Sequence, residues 1–152
     1  MDISKLVNDF REVARFADIR LHDSDLNVEH LPAPHKPPTR LPKGLMAVYV
    51  FSLGDIALKV GKVGPNSTAR YTSQHYNASS AASTLAGSLL KGGHEIGASN
   101  LTIETARDWI KVNTDRTNFL LDANVGVPVL TLLEAFLQCR LKPKFEGFAS
   151  QR

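Results

Sequence analysis

Six side chains able to do chemistry on an anion fall in two short parts of the chain. Tyr49, Lys59, Lys62, Arg70 and His75 lie within 47–75, AVYVFSLGDIALKVGKVGPNSTARYTSQH, and Glu134 lies in an apolar run near the end. Residues 46–51 are unbroken apolar, with β-branched and aromatic members, and read as a buried strand. Gly54-Asp55 marks a hairpin turn, after which 56–63 resumes as a second strand. Side chains alternate across a strand, so Lys59 and Gly61 are expected on one face and Leu58, Val60 and Lys62 on the other. Lysine is rarely buried without a partner, so two of them in a central-looking strand need a reason. The turn at 64–67 leads into a short helix carrying Arg70 and, about a turn later, His75. A phenol, two ammonium groups, a guanidinium and an imidazole thus converge on what reads as a site for an anion.

Residues 127–139 read as a helix that is apolar on nearly every side and largely buried, with Pro128 tolerated in its first turn. Thr131, Glu134 and Gln138 form one narrow polar stripe along it. A lone carboxylate among leucines costs on the order of several kcal/mol unless a cation or metal compensates it. Lys59 or Arg70 is the expected partner if Glu134 serves a buried salt bridge.

Ala47-Val48-Tyr49 and Lys59-Val60-Gly61 are separated by a hairpin and followed by Arg70 and His75. Glu134 comes on a later helix, followed by Lys142-Pro143-Lys144-Phe145. In order and spacing these resemble the signature of the GIY-YIG nuclease superfamily, over about residues 45–148. Ala47 stands where the family has the glycine of its first motif. Lys59 stands where it has the tyrosine of its second, as in a subset of restriction-type members. The resemblance implies a metal-dependent endonuclease that hydrolyses DNA phosphodiester bonds. It further implies that Glu134 is the protein ligand of Mg²⁺ or Mn²⁺ and that Arg70 grips the phosphate. Tyr49 would be, or would position, the general base. Lys59 would lower the tyrosine's pKa or take the proton itself, and His75 would orient Tyr49 or relay the proton. Which of Tyr49, Lys59 and His75 is the base stays open. Lys62 is expected as a phosphate contact. Two other readings stand beside this one: a DNA-binding module on the same fold without the chemistry, and a protein-interaction domain whose N-terminal helix and tether dock a partner.

Other elements must hold these residues. Residues 2–20 read as an amphipathic helix capped by Asp2 or Ser4, with Ile3, Leu6, Val7, Phe10, Val13, Ala14 and Ala17 on its apolar face. Five prolines between 32 and 42 make 21–43 a tether, in which His30 and His35 read as solvated loop histidines and Lys36, Arg40 and Lys43 add basic character. Residues 81–91 favour a helix ended by Gly92-Gly93, and Thr102 with Thr105 opens another that ends near Asn113. The stretch 77–113 is a candidate insertion. Asp115-Arg116 reads as a solvated turn and 117–123 as a third strand, with Trp109, Phe119 and Phe136 in the core. The order predicts an α+β fold, a small three-stranded antiparallel sheet flanked by helices. Its expected division is 1–44, N-terminal helix and tether, and 45–148, the nuclease-like domain.

Composition narrows the class. At 152 residues, 43% hydrophobic and 22% charged, the chain suits one domain with a real core. A net charge of +3 permits a polyanionic partner such as DNA without identifying one. One cysteine, Cys139, excludes an internal disulfide and, with no signal segment, points to a reducing cytoplasm. No run approaches the roughly 20 apolar residues of a membrane span. One site per chain cuts one strand, so a double-strand break would call for a homodimer or two visits.

Overall fold

The computed structural model describes residues 1–81 and 83–145. Its frame is a four-stranded antiparallel sheet of β1 (Leu26–Leu31), β2 (Leu45–Leu53), β3 (Ile56–Val63) and β4 (Asp115–Asp122), in the order β1-β4-β2-β3. One face carries α1 (Ile3–Phe16) and α5 (Val127–Leu141), whose Leu6, Phe10, Val129, Leu130, Leu133 and Leu137 pack on Met46, Val48, Val50 and Val60. The other face carries α2 (Thr68–Thr72), α3 (Leu85–Gly92) and α4 (Ile103–Asn113), which enclose Tyr49 and Phe51. The class is α+β, as the pattern predicts, but the sheet has four strands rather than three. The extra strand lies inside the expected tether. Its residues Asn27, Glu29 and His30 are polar and exposed because β1 is an edge strand, so no apolar run announces it. It pairs with β4 from Leu26↔Leu121 to Leu31↔Arg116, and only beyond it do the prolines take over.

Local chemistry sets the helix ends. The Asp2 carboxylate accepts from the Lys5 N–H at 3.0 Å and starts α1. Leu6, Phe10 and Ala14, spaced by four, then face α5, where the Phe10 and Phe136 rings sit 5.7 Å apart. Thr102 and Thr105, expected to open α4, form a capping box there. Thr84, whose hydroxyl accepts from the Gly87 N–H, delays α3 to Leu85, later than the expected 81; position 82 lies outside the described residues. Residues 146–148 of the expected domain also lie outside them.

Two expectations about faces change. Pairing skips from Phe51↔Lys59 to Ser52↔Ala57, so Leu58 is an extra residue in β3 and joins the Tyr49 side with Lys59 instead of the Val60 side. The last helix is not buried all round. Val129, Leu130, Leu133 and Leu137 are covered, whereas Thr131, Ala135 and Cys139 are exposed, because only the sheet and α1 lie against it. Phe119 is fully buried; Trp109 and Phe136 are half-buried at the margins of the two cores. Among the described residues no helix is long and apolar enough to cross a membrane.

Candidate active site

Tyr49 lies at the centre of the sheet, opposite Gly61 on β3 and Asn118 on β4. Its ring covers Gly61 so closely that a Cβ there would meet Tyr49 Cε2 and Oη at 2.8 Å. The glycine is therefore required by contact, not by backbone conformation. The Tyr49 hydroxyl is 2.7 Å from His75 Nε2, with the two rings 5.0 Å apart and edge-on. His75 comes from the 3₁₀ turn Gln74–Tyr76 that follows α2. The Leu85 backbone N–H, in the first turn of α3, donates to its Nδ1 at 3.2 Å. A backbone N–H can only donate, so Nδ1 accepts and the single proton of the neutral ring sits on Nε2. His75 thus donates to the Tyr49 oxygen.

The ring is neutral. Burial pushes the His75 pKa down to about 3, helped by the positive charges of Arg70, Lys59 and Arg116. Burial likewise pushes Tyr49 up to about 12; the Arg70 charge and hydrogen bond and the Arg116 charge oppose that shift, and the Glu134 charge adds to it. Arg70, half-buried on α2, is thus the cation that most opposes the rise. In this tautomer His75 can orient Tyr49 but has no vacant nitrogen to accept a proton from it.

Glu134 reaches this neighbourhood from the opposite layer. Its carboxylate is 2.7 Å from the Lys62 ammonium, with side chains 19% and 35% exposed respectively. The partner is thus Lys62 rather than the expected Lys59 or Arg70, because Lys62 alone of these projects toward α5, next to Val60 and opposite Val48. Lys62, expected on a phosphate, is engaged by the carboxylate here. Lys59 is 3% exposed and its ammonium donates to the Phe145 carbonyl at 3.0 Å. The same segment lies along the outer edge of β3, with Lys144 N–H on the Ala57 carbonyl and Phe145 N–H on the Leu58 carbonyl, both 2.9 Å. The Lys59 charge acts on His75.

Among the described residues no three His, Cys, Asp or Glu side chains gather as a metal cluster. Glu134 offers one carboxylate, paired with the Lys62 ammonium at 2.7 Å, as an oxygen ligand. A lone hard oxygen ligand, with water and phosphate completing the shell, is what magnesium accepts.

Two residues at this site were misread from sequence. Arg116, expected in a solvated turn, is 1% exposed at the start of β4. Its guanidinium donates to Asn118 Oδ1 (2.8 Å), the Tyr71 carbonyl (2.7 Å) and the Tyr76 hydroxyl (3.2 Å). His35, expected in a solvated loop, is 6% exposed; its ring bonds the Thr114 carbonyl at 2.6 Å and the Tyr76 hydroxyl at 2.8 Å. His35 is buried because the 32–44 segment crosses the α4 side of the sheet, with its N–H on the Lys111 carbonyl and Leu41 in the core; Arg116 is buried by Tyr71 and Tyr76. The other histidine of that segment, His30, is exposed as expected but sits on β1, its Nδ1 3.0 Å from Thr117 Oγ1. Compared with protein-family models, with curated proteins and with solved structures, the chain gave no match in any of the three.

Proposed function

We propose that the protein is a divalent-metal-dependent endonuclease that hydrolyses DNA phosphodiester bonds at the Tyr49 site. One observation carries the reading: a buried phenol held by a neutral histidine at 2.7 Å beside the Arg70 charge, within electrostatic reach of a half-open glutamate. A tyrosine serving only the core needs one partner for its hydroxyl. A donor on its oxygen and two guanidinium charges beside it, all better matched to a phenolate than to a phenol, suit a group that gives up a proton.

In this reading Glu134 holds Mg²⁺ or Mn²⁺, which supplies positive charge to the phosphoryl oxygens. Arg70 offers its remaining donors to the phosphate in a planar fork. Tyr49, once ionised, takes the proton of the attacking water, and the His75 N–H and Arg70 hold the phenolate oxygen in line. The phenol is un-ionised at neutral pH, so cleavage should rise with pH through the alkaline range toward about 12. Lys62 leaves the carboxylate for the DNA backbone.

The test is a plasmid-nicking assay with Mg²⁺ and with Mn²⁺. Tyr49→Phe, Arg70→Ala and Glu134→Ala should each lower cleavage by about 10²-fold or more while the fold melts as one transition. Parent-level nicking in any of them overturns the reading. The Lys62–Glu134 pair favours a second reading, a DNA-binding module in which an internal ion pair replaces the metal. Salt-sensitive DNA binding with no nicking across a metal series would select it.

A further inference from the structure

We propose that Arg116 is a positioning residue for this reaction, holding the Tyr49–His75 pair from inside the fold and supplying the fixed positive charge behind the phenol. The proposal rests on the nuclease reading of the site. Arg116 enters the layer from β4, two residues from Asn118, the cross-strand neighbour of Tyr49. Its guanidinium carbon lies 4.7 Å from the Tyr71 ring centre, 5.1 Å from Tyr49, 5.3 Å from Phe51 and 6.0 Å from Tyr76. All three of its hydrogen-bond acceptors are uncharged. The nearest carboxylate in the network is one step removed: Asn118 Nδ2 donates to Glu29 Oε2 at 2.8 Å.

A buried cation bonded to neutral groups is costly, and a core that needed only volume would be served by a methionine or leucine. What this arrangement provides is a positive charge that cannot swing away or be screened by solvent. Arg70 has neither property, because it is half-exposed and must also meet the substrate. Tyr49 is faced by Arg70 and Tyr71 from α2, His75 from the 3₁₀ turn, Arg116 from β4 and Glu134 from α5. His75 is faced by Arg70, Lys59 and Arg116. Arg116 is the cation common to both members of the pair that also stacks on the rings around them. The carbonyl it binds belongs to Tyr71, next to Arg70, so it also ties α2 to the sheet.

The experiment compares Arg116→Lys, which keeps the charge, with Arg116→Met, which keeps much of the volume. Each is assayed for kcat, KM and pH profile of plasmid nicking and, without metal, for the ¹⁵N signals of His75. Arg116→Met is expected to lower kcat about tenfold or more at unchanged KM, and to move the rising limb to higher pH. It should also raise the pH at which His75 takes a second proton, with Arg116→Lys recovering part of each effect. A folded Arg116→Met protein with the parent's kcat, pH profile and His75 titration overturns the proposal. Should both variants fail to fold, Asn118→Asp made together with Glu29→Gln neutralises the charge while keeping Arg116 in position. The same shifts are expected of it, and their absence overturns the proposal. If the parent protein does not cut DNA, the nuclease reading falls and the His75 titration decides the matter of Arg116 alone.

Discussion

At the scale of single residues, the site depends on contacts that leave little room. Gly61 has no side chain because the Tyr49 ring occupies that space. Gly61→Ala must therefore push the ring aside, at a cost of about 1–3 kcal/mol for an overpacked core. Urea unfolding should show that loss, and the His75 N–H signal should change as the 2.7 Å bond breaks. The histidine itself makes stability depend on pH. Its folded pKa is about 3, against an ordinary 6.5, so between those values the unfolded chain binds the extra proton. Its contribution is complete above pH 6.5 and is lost as the pH falls toward 3. Between pH 7 and pH 5 that amounts to about 2 kcal/mol, at about 1.36 kcal/mol per pH unit. His35, also pushed down by burial, acts in the same direction. His75→Gln should flatten most of this slope in denaturant midpoints measured from pH 7 to pH 5. An unchanged slope would mean that the ring is not neutral in the fold.

Whole elements decide how those residues meet. The edge strand β3 contributes to both layers: Gly61 lies under Tyr49 on one face, and Lys62 reaches Glu134 on α5 from the other. Removing the ammonium should free the carboxylate for a metal. Lys62→Met is expected to bind Mn²⁺ several-fold more tightly than the parent by calorimetry in the absence of DNA. Equal affinity would show that Lys62 does not compete. The capping box of α4 offers a plainer check, since Thr102→Ala should cost about 1 kcal/mol in urea unfolding and leave the site intact. Caps of this kind were legible in the sequence, as were the β2–β3 hairpin and the spacing of Leu6, Phe10 and Ala14, because each is a relation among residues close in the chain. What failed to show was non-local. Asp115-Arg116 reads as a turn by composition, and only Tyr71 and Tyr76, some forty residues away, make it a buried strand start. β1 lacks an apolar period because one of its edges faces solvent, and His35 is buried by the return path of the chain between β1 and β2. Among the candidate residues, Tyr49 with His75 came from spacing. The Lys62–Glu134 pair required knowing which face each strand position takes once Leu58 interrupts the alternation.

At the scale of the molecule, two cores share one sheet, and the candidate site draws on both. Tyr49, Arg70 and His75 belong to the layer of α2, α3 and α4, whereas Glu134 belongs to the layer of α1 and α5. The N-terminal helix bears on the candidate site through packing. Leu6, Phe10 and Ala14 press α5 against the sheet, and Arg140 on α5 meets Asp9 on α1 at 2.7 Å. Phe10 is fully buried and stacks on Phe136, two residues beyond Glu134. Phe10→Ala should cost about 3–5 kcal/mol through lost burial and a residual cavity. It should also loosen the turn of α5 that carries the carboxylate. The two layers then predict a split result at a temperature where the variant is still folded. Mn²⁺ binding should weaken, while the His75 signals and their titration stay as in the parent, because nothing in the Tyr49 layer has lost a contact. Leu89→Ala, a comparable truncation in the other core, should do the reverse: it disturbs the helix whose Leu85 N–H fixes the imidazole and leaves Glu134 alone. If both variants changed both signals together, the layers would be acting as one unit. The sheet would then transmit strain between them rather than insulate them.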